Sequence, residues 1–287
     1  MIIVTGANGQ LGRAVAERLL QLVPAGQIGV SVRDPEKARE LEGQGVRVRR
    51  GDFDDPASLA HAFEGASRVL IVSANSMGET AVRQHCAAID AAKAAGAGRI
   101  VYTSHMGVDS ASPFPPMADH AATEAALRDS GVTSTALRNG FYAESAALFL
   151  GNAITTGELA APEDGPIAYT SHPDLAEAAA IALTGEGFDG ATPDLTGSEA
   201  VDLAGVAALA SKLAGRPIRR VVVSDADYLA GLVAKGIPEE RAGMLLGLFA
   251  ASRQGRFARV DPALARLLGR PATPLRDVLK AAISPAG

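Results

Sequence analysis

The chain has 287 residues, 47% of them hydrophobic and 21% charged, with a formal net charge of −5. That mild negative balance gives no electrostatic reason for nucleic acid or an anionic membrane as a partner, and no apolar run approaches the roughly 20 residues that span a bilayer. A single cysteine, Cys86, excludes an internal disulfide framework and suits a reducing cytoplasm, as does a first strand at Ile2 that leaves no room for a signal peptide.

Residues 2–5 are an apolar run that ends in Gly6-Ala7-Asn8-Gly9-Gln10-Leu11-Gly12, three glycines spaced three apart, with a helical pattern over 10–22. Gly6 permits a tight strand-to-helix turn, Gly9 lets a pyrophosphate approach bare backbone, and Gly12 lets the helix pack on its strand. The phosphates would then rest on the free N–H groups and positive dipole end of that helix. The plainer alternative is a glycine-rich loop that merely closes the turn.

Further β-rich runs at 27–33, 46–50, 68–73, 99–104 and 134–138 alternate with helical patterns at 35–42, 56–64, 79–95 and 117–130. Gly43, Gly45, Gly96, Gly98 and Gly131 mark helix stops, and Asp55-Pro56 an N-cap with a first-turn proline. This alternation predicts an α/β fold, a Rossmann-like doubly wound parallel sheet, with residues 1–150 as an NAD(P)-binding domain. Residues 151–287 read as a smaller, mostly helical lobe on the substrate side, with room for a strand or helix returned to the sheet. Residues 151–173 are expected to be loops with one short strand near 166–170. Helices are expected at 173–184, 200–214, 225–235, 238–251 and 262–269, and strands near 192–196 and 218–223. Cys86 falls in the 79–95 helix and is expected to be buried and inert.

Arg33 closes the second strand, where an NAD-binding unit would carry an acidic residue for the ribose hydroxyl. A guanidinium there suits the 2′-phosphate of NADP through charge-assisted contacts, which favours NADPH over NAD. Asp34, before Pro35, is expected to cap the next helix.

With those residues in hand, the chain resembles the NmrA-like branch of the atypical short-chain dehydrogenases, and within it the bacterial NADPH:quinone oxidoreductases and triphenylmethane reductases. The likeness rests on Val4–Gly12, Val32–Ala38, Gly51–Asp54, Ala92–Gly96, Tyr102–Ser104, His120–Glu124 and Leu137–Tyr142. It implies a cofactor shell of Gly6, Ala7, Asn8, Gly9, Gln10, Leu11 and Gly12, then Arg33, Ser73, Ala74 and Asn75. Leu137, Arg138, Asn139, Gly140, Phe141 and Tyr142 complete it, and Asp52 and Phe53 lie near the adenine. Ala125 stands where related quinone reductases tend to carry a lysine after the Thr-Glu pair. The branch also contains NADP-binding sensors with little turnover, so likeness alone does not settle activity.

Orthodox short-chain dehydrogenases use Tyr-x-x-x-Lys, and the residues four beyond the tyrosines here are Met106, Ala146, Pro173 and Leu232. Their absence of lysine disfavours alcohol–ketone redox and an isomerase using bound NAD. A quinone asks less, since hydride transfer leaves an aromatic hydroquinone anion that takes its proton from water. The protein then has to hold a flat acceptor and stabilise the developing oxyanion. Ser104, His105, Asn139 and Tyr142 leave the fifth and sixth strands beside the expected cofactor. Tyr142 and Asn139 are nicotinamide-side candidates, and His105 a proton donor because histidine titrates near neutrality; a loop histidine facing water is the alternative. His120 is either a pocket group or a residue near a helix start. His61, His85 and His172 show no metal-ligand spacing with each other or with Cys86. Phe114 among prolines 113, 115 and 116 reads as a lid or a surface connection. The resulting expectation is an NADPH-dependent oxidoreductase that passes hydride to a quinone or similar flat acceptor without flavin or metal. A non-catalytic NADP(H)-binding redox sensor is the alternative, and a homodimer is compatible with either.

Overall fold

Alternating apolar runs and capped helical stretches place the first-half elements within a few residues of the expected bounds. In the computed structural model these are β1 (Ile2–Thr5), α1 (Gln10–Leu20), β2 (Ile28–Val32), α2 (Arg39–Gly43), β3 (Arg47–Arg50), α3 (Pro56–Phe63), β4 (Arg68–Ile71), α4 (Gly78–Ala94), β5 (Arg99–His105), α5 (Pro116–Asp129) and β6 (Ser134–Asn139). The structure describes residues 1–151 and 153–283; Asn152 and residues 284–287, which end the expected lobe, lie outside the described residues. Asp55 caps α3 by accepting from the Ser58 N–H, and Asp34 accepts from the Glu36 N–H at the short turn before α2, as the sequence anticipates. Gly96, at φ +77°, takes the left-handed backbone that stops α4.

The second half is more structured than expected. Just before 151 the chain adds β7 (Phe141–Tyr142) and α6 (Ala143–Leu150), and within 151–173 it forms α7 (Ala153–Thr156) and β8 (Glu158–Ala161) besides β9 (Ile167–Thr170), the short strand expected near 166–170. It continues through α8 (His172–Thr184), β10 (Asp194–Leu195), β11 (Ala200–Val201), α9 (Leu203–Ala214), β12 (Arg219–Val222), α10 (Asp225–Ala234), α11 (Glu239–Arg253), α12 (Ala263–Leu268) and α13 (Leu275–Ile283). The short strands pair across long loops, in a three-stranded β11-β9-β7 sheet and a β12-β8 ribbon, partnerships that no local period announces.

The main sheet is parallel, with order β10-β6-β5-β4-β1-β2-β3. β1 and β2 are buried throughout, as a strand covered on both faces must be. One face carries α1 and α8 over Val4, Val15, Leu19 and Leu183; the other carries α3, α4 and α5 over Ile3, Phe63, Ile89 and Tyr102. The lobe has its own core around Leu150, Leu159, Val206, Phe249 and Leu279. Two elements beyond residue 150 belong to the sheet layer. β10 pairs with β6, with Asp194 opposite Arg138, and α8 packs along α1, where its alanines allow close approach.

Candidate active site

The strand order reverses at β1, which pairs with β2 on one side and β4 on the other. Carboxyl ends that diverge at such a point leave a crevice in which open sheets hold ligands. A cleft of about 660 Å³ opens there. Its floor is Gly6, Asn8 and Gly9; one wall is Ser31 to Asp34 with Lys37; the far end is Gly51, Asp52 and Phe53; the other wall runs from Val72 to Ser76, with Gln84 from α4.

The three N-terminal glycines have separate reasons. Gly6 has φ +66°, a conformation unfavourable for a side chain. A Cβ on Gly12 would lie 2.5 Å from the Gly6 carbonyl oxygen, so this glycine lets α1 seat on the turn. A Cβ on Gly9 would meet that oxygen at an ordinary 3.4 Å; Gly9 lies on the cleft floor, with its own amide donated to the Gly6 carbonyl at 2.9 Å. No side chain caps α1, which leaves the first-turn amides of Gln10 and Leu11 for an anion. Ala7 and Leu11 are buried in the core.

Arg33 is exposed at the cleft wall and forms no ion pair among the described residues, while Lys37 lies 3.6 Å from Asp34. Asn8 donates to the Asp34 carbonyl at 2.8 Å and fixes the mouth of the cleft. The Ser31 hydroxyl is buried with no partner, beside Gly51, where any Cβ would fall 2.0 Å from it. An uncapped helix, a free guanidinium and an orphaned hydroxyl around one cavity fit a phosphorylated dinucleotide. Ser31, Lys37, Ser76 and Gln84 escaped the sequence reading. Lys37 had a visible cue in its position four residues past Arg33; Gln84 had none, because it reaches the cleft from the middle of α4.

The loop after β4 is tethered amide by amide. Val72 donates to Thr5 Oγ1 at 2.9 Å, Ser73 to Thr103 Oγ1 at 2.9 Å and Ala74 to His85 Nε2 at 2.8 Å. Ser73, Ala74 and Asn75 are thus held at the cleft wall. Ser104, Leu137, Arg138 and Gly140 stand differently, supporting the site from behind and not lining this cleft. Leu137 is sheet core. Ser104 donates to Glu124 Oε1 at 2.6 Å, and Arg138 grips the same buried carboxylate through Nε at 2.9 Å and Nη2 at 2.7 Å. Gly140, between β6 and β7, lets the chain pass close to β9, since a Cβ would lie 2.3 Å from Thr170 Oγ1.

Asn139 is 3% exposed at the end of β6, and its Oδ1 has no partner. Burial raises the pKa of the neighbouring Tyr142 phenol and the Asn139 side chain partly offsets it, and the Tyr142 ring lies 4.3 Å from that of His172. Phe141 joins Phe114 and Phe257, 6.0 and 5.0 Å away, in an aromatic cluster. The proline loop therefore inserts its phenylalanine into the core and is no bare surface connection.

His105 corrects the expectation of a group titrating near neutrality. Its ring packs edge-on against Phe141 at 4.8 Å and Phe257 at 5.6 Å. Burial first, then His120, lowers its pKa to about 3, so the half-buried ring is neutral at physiological pH and is flanked by aromatic rings. Burial likewise holds His120 and His85 near pKa about 4. Cys86 sits on α4 as expected but half-buried, with burial pushing its thiol up, which makes it a poor nucleophile.

An open cleft at the switch point of a parallel sheet, entered by an uncapped helix behind a glycine turn, defines a dinucleotide-binding Rossmann protein. Residues 6–185 match the model of the NAD(P)H-binding family, and the chain belongs to that family. It is similar to quinone oxidoreductase 2 of Escherichia coli (strain K12), with 38% identity over 278 residues and 96% of each chain covered. Its fold matches the crystal structure of the Escherichia coli NADPH-dependent quinone oxidoreductase complexed with NADPH, at TM-score 0.93 and 36% identity, covering 99% of this chain and 100% of that one. The Citrobacter sp. triphenylmethane reductase complexed with NADP(H) follows at TM-score 0.91 and 34% identity, covering 98% and 100%. The resemblance carried by the sequence motifs, to the NmrA-like quinone and triphenylmethane reductases, therefore holds along the whole chain.

Proposed function

We propose that this protein is an NADPH-dependent oxidoreductase that passes hydride to a quinone or a similarly flat, conjugated acceptor. The observation that carries this reading is likeness over the full length to a quinone oxidoreductase solved with NADPH, joined to a cleft whose free cation is Arg33. Residues 1–150 hold the dinucleotide, and the lobe within 151–287 covers the acceptor. The amides of Gln10 and Leu11 receive the pyrophosphate, Arg33 and Lys37 the 2′-phosphate, and Asp52 and Phe53 flank the adenine.

NADPH, when bound, supplies the hydride; one proton from solvent completes the hydroquinone, so no protein acid is obligatory. Asn139 and Tyr142 stand on the nicotinamide side, where the unpartnered Asn139 Oδ1 suits the amide hydrogens of a carboxamide. The buried phenol of Tyr142 keeps its proton and acts as a hydrogen-bond donor, not as a base. A cytoplasmic setting suits such a reductase with a lone free thiol.

The test is NADPH oxidation by purified protein given a simple benzoquinone, with no flavin or metal added and NADH run in parallel. Turnover with NADPH is expected. Binding of NADPH without turnover across a panel of quinones and dyes would replace this reading with that of a non-catalytic NADP(H) sensor.

A further inference from the structure

Two histidines flank the aromatic cluster, and backbone amides dictate which ring nitrogen of each carries its proton. The Gly107 N–H donates to His105 Nδ1 at 3.0 Å. An amide cannot accept, so Nδ1 is the bare nitrogen and the proton of His105 sits on Nε2. The same logic runs through α4 and α5. The Ala74 N–H occupies His85 Nε2, so His85 Nδ1 carries a proton and donates it to Thr123 Oγ1 at 2.9 Å. Thr123 in turn donates to the Asp119 carbonyl at 2.8 Å, and the neighbouring Tyr102 hydroxyl lies 2.7 Å from His120 Nδ1. Tyr102 is fully buried, and burial drives its pKa far up, so it keeps its proton and donates. Nδ1 of His120 is then the acceptor, and its proton too is on Nε2.

The two rings lie 6.2 Å apart and 28° from parallel, and neither Nε2 has a hydrogen-bond partner among the described residues. Beside them the half-buried Phe141 and Phe114 present an apolar surface to anything flat, backed by the fully buried Phe257.

We propose that His105 and His120 are a pair of neutral donors whose Nε2–H groups bind the carbonyl oxygen of a flat acceptor, positioned by the Gly107 amide and the Tyr102 hydroxyl. This rests on the reductase reading above and names the groups that face its acceptor. A neutral imidazole donor stabilises the developing oxyanion without surrendering its proton. The proton of the hydroquinone therefore comes from solvent, and the electron pair from the hydride.

Charged groups around the pair are already engaged. The Glu124 carboxylate is held by Arg138 and Ser104, Asp119 by the Gly78 amide, and Asp109 by Arg256. His85 and Tyr102 are neutral, and Tyr142 is a protonated phenol. None supplies a free charge to pull either imidazole into the neutral range, so kcat/KM for a quinone is expected to be flat from about pH 5.5 to 8.

The experiment pairs nitrogen-15 NMR of the histidine rings with kinetics. Both histidines should give Nε2–H tautomers across that range, and duroquinone added to the NADP⁺-bound protein should shift both Nε2 signals. Tyr102→Phe should release His120 from the single tautomer. His120→Leu should lower kcat/KM on the order of 10- to 100-fold, whereas His120→Gln, which keeps an amide donor, should stay within about threefold of wild type. An Nδ1–H tautomer, a rate that falls as pH rises through the ordinary histidine range, or a leucine variant as active as wild type would overturn the pair. If duroquinone moves the signals but no quinone is reduced, the donor pair stands and the reductase reading falls. Robust turnover with unmoved signals gives the reverse.

Discussion

Glu124 and Arg138 meet in two parallel contacts, Nε to Oε1 at 2.9 Å and Nη2 to Oε2 at 2.7 Å, with the carboxylate almost fully buried. The pair bolts α5 to β6, and Ser104 on β5 shares the same carboxylate. His105 and Asn139, the next residues on those two strands, are held in register by it. The carboxylate thus fixes the geometry of the site without touching the cleft.

Removing one partner of such a pair strands the other charge. Glu124→Ala is expected to cost about 3 kcal/mol in urea unfolding, and Arg138→Ala less, because Arg138 remains half-solvated. A double-mutant cycle with additive losses would show that the pair does not act as a unit. Burial pushes the Glu124 carboxyl up, but hydrogen bonds from Arg138 and Ser104 outweigh it and the net shift is downward. Its contribution is therefore present above the usual carboxylate range and lost as pH falls through the lowered value. Glu124→Gln should flatten that acid limb.

Arg33 reads the 2′-phosphate if the cleft takes NADPH as argued. Arg33→Ala should weaken NADPH by about 1.5–3 kcal/mol and leave NADH nearly unchanged. Lys37→Ala should show the same selectivity with a smaller loss, because Asp34 already shares its charge. Calorimetric titration of both coenzymes decides it; equal losses for NADH would remove the 2′-phosphate assignment.

Two glycines three residues apart should fail in different ways. Gly12→Ala drives a methyl into the Gly6 carbonyl at 2.5 Å, and overpacking of this kind costs about 1–3 kcal/mol or more, so both thermal stability and coenzyme binding should drop. Gly9→Ala meets only an ordinary 3.4 Å contact. Its melting temperature should stay near wild type while NADPH binding is lost, measured by thermal shift with and without coenzyme.

One buried and two half-buried imidazoles make the fold sensitive to acid. His85, His105 and His120 have pKa values lowered by burial to about 4, about 3 and about 4, against about 6.5 in an unfolded chain. Between those values the unfolded chain binds more protons, so stability rises with pH. The contribution is complete above about pH 6.5 and is lost as pH falls toward 4, at no more than about 1.4 kcal/mol per pH unit for each histidine. Urea midpoints should fall from pH 7 to 5, and His85→Gln should reduce the slope. A constant midpoint over that window would contradict the buried neutral state.

Much of the frame was legible in the residues because its causes are local. The Gly6–Gly12 turn, the Asp34 and Asp55 caps and the strands of the first half follow from glycine spacing, short capping side chains and apolar periods. Legibility ended where pairing is long-range. α6 was missed because 143–150 lacks a capping residue at its start, and β8 because its partner β12 lies some sixty residues away. At the site, Gly6, Gly9, Arg33, Asp52, Phe53 and the Ser73–Asn75 loop fell where their strand ends put them. Arg138 and His105 took surroundings that no spacing specifies: a carboxylate from α5, and phenylalanines from two separate segments.

What the sequence by itself determined, then, is the βα corner that holds a nucleotide and the parallel layer that carries it, since each depends on residues within a turn or two of one another. Only the tertiary structure decided the protonation state and company of the histidines. Solvation and hydrogen-bond partners set an imidazole's proton, and those are fixed by chain segments as far apart as His105 and Phe257.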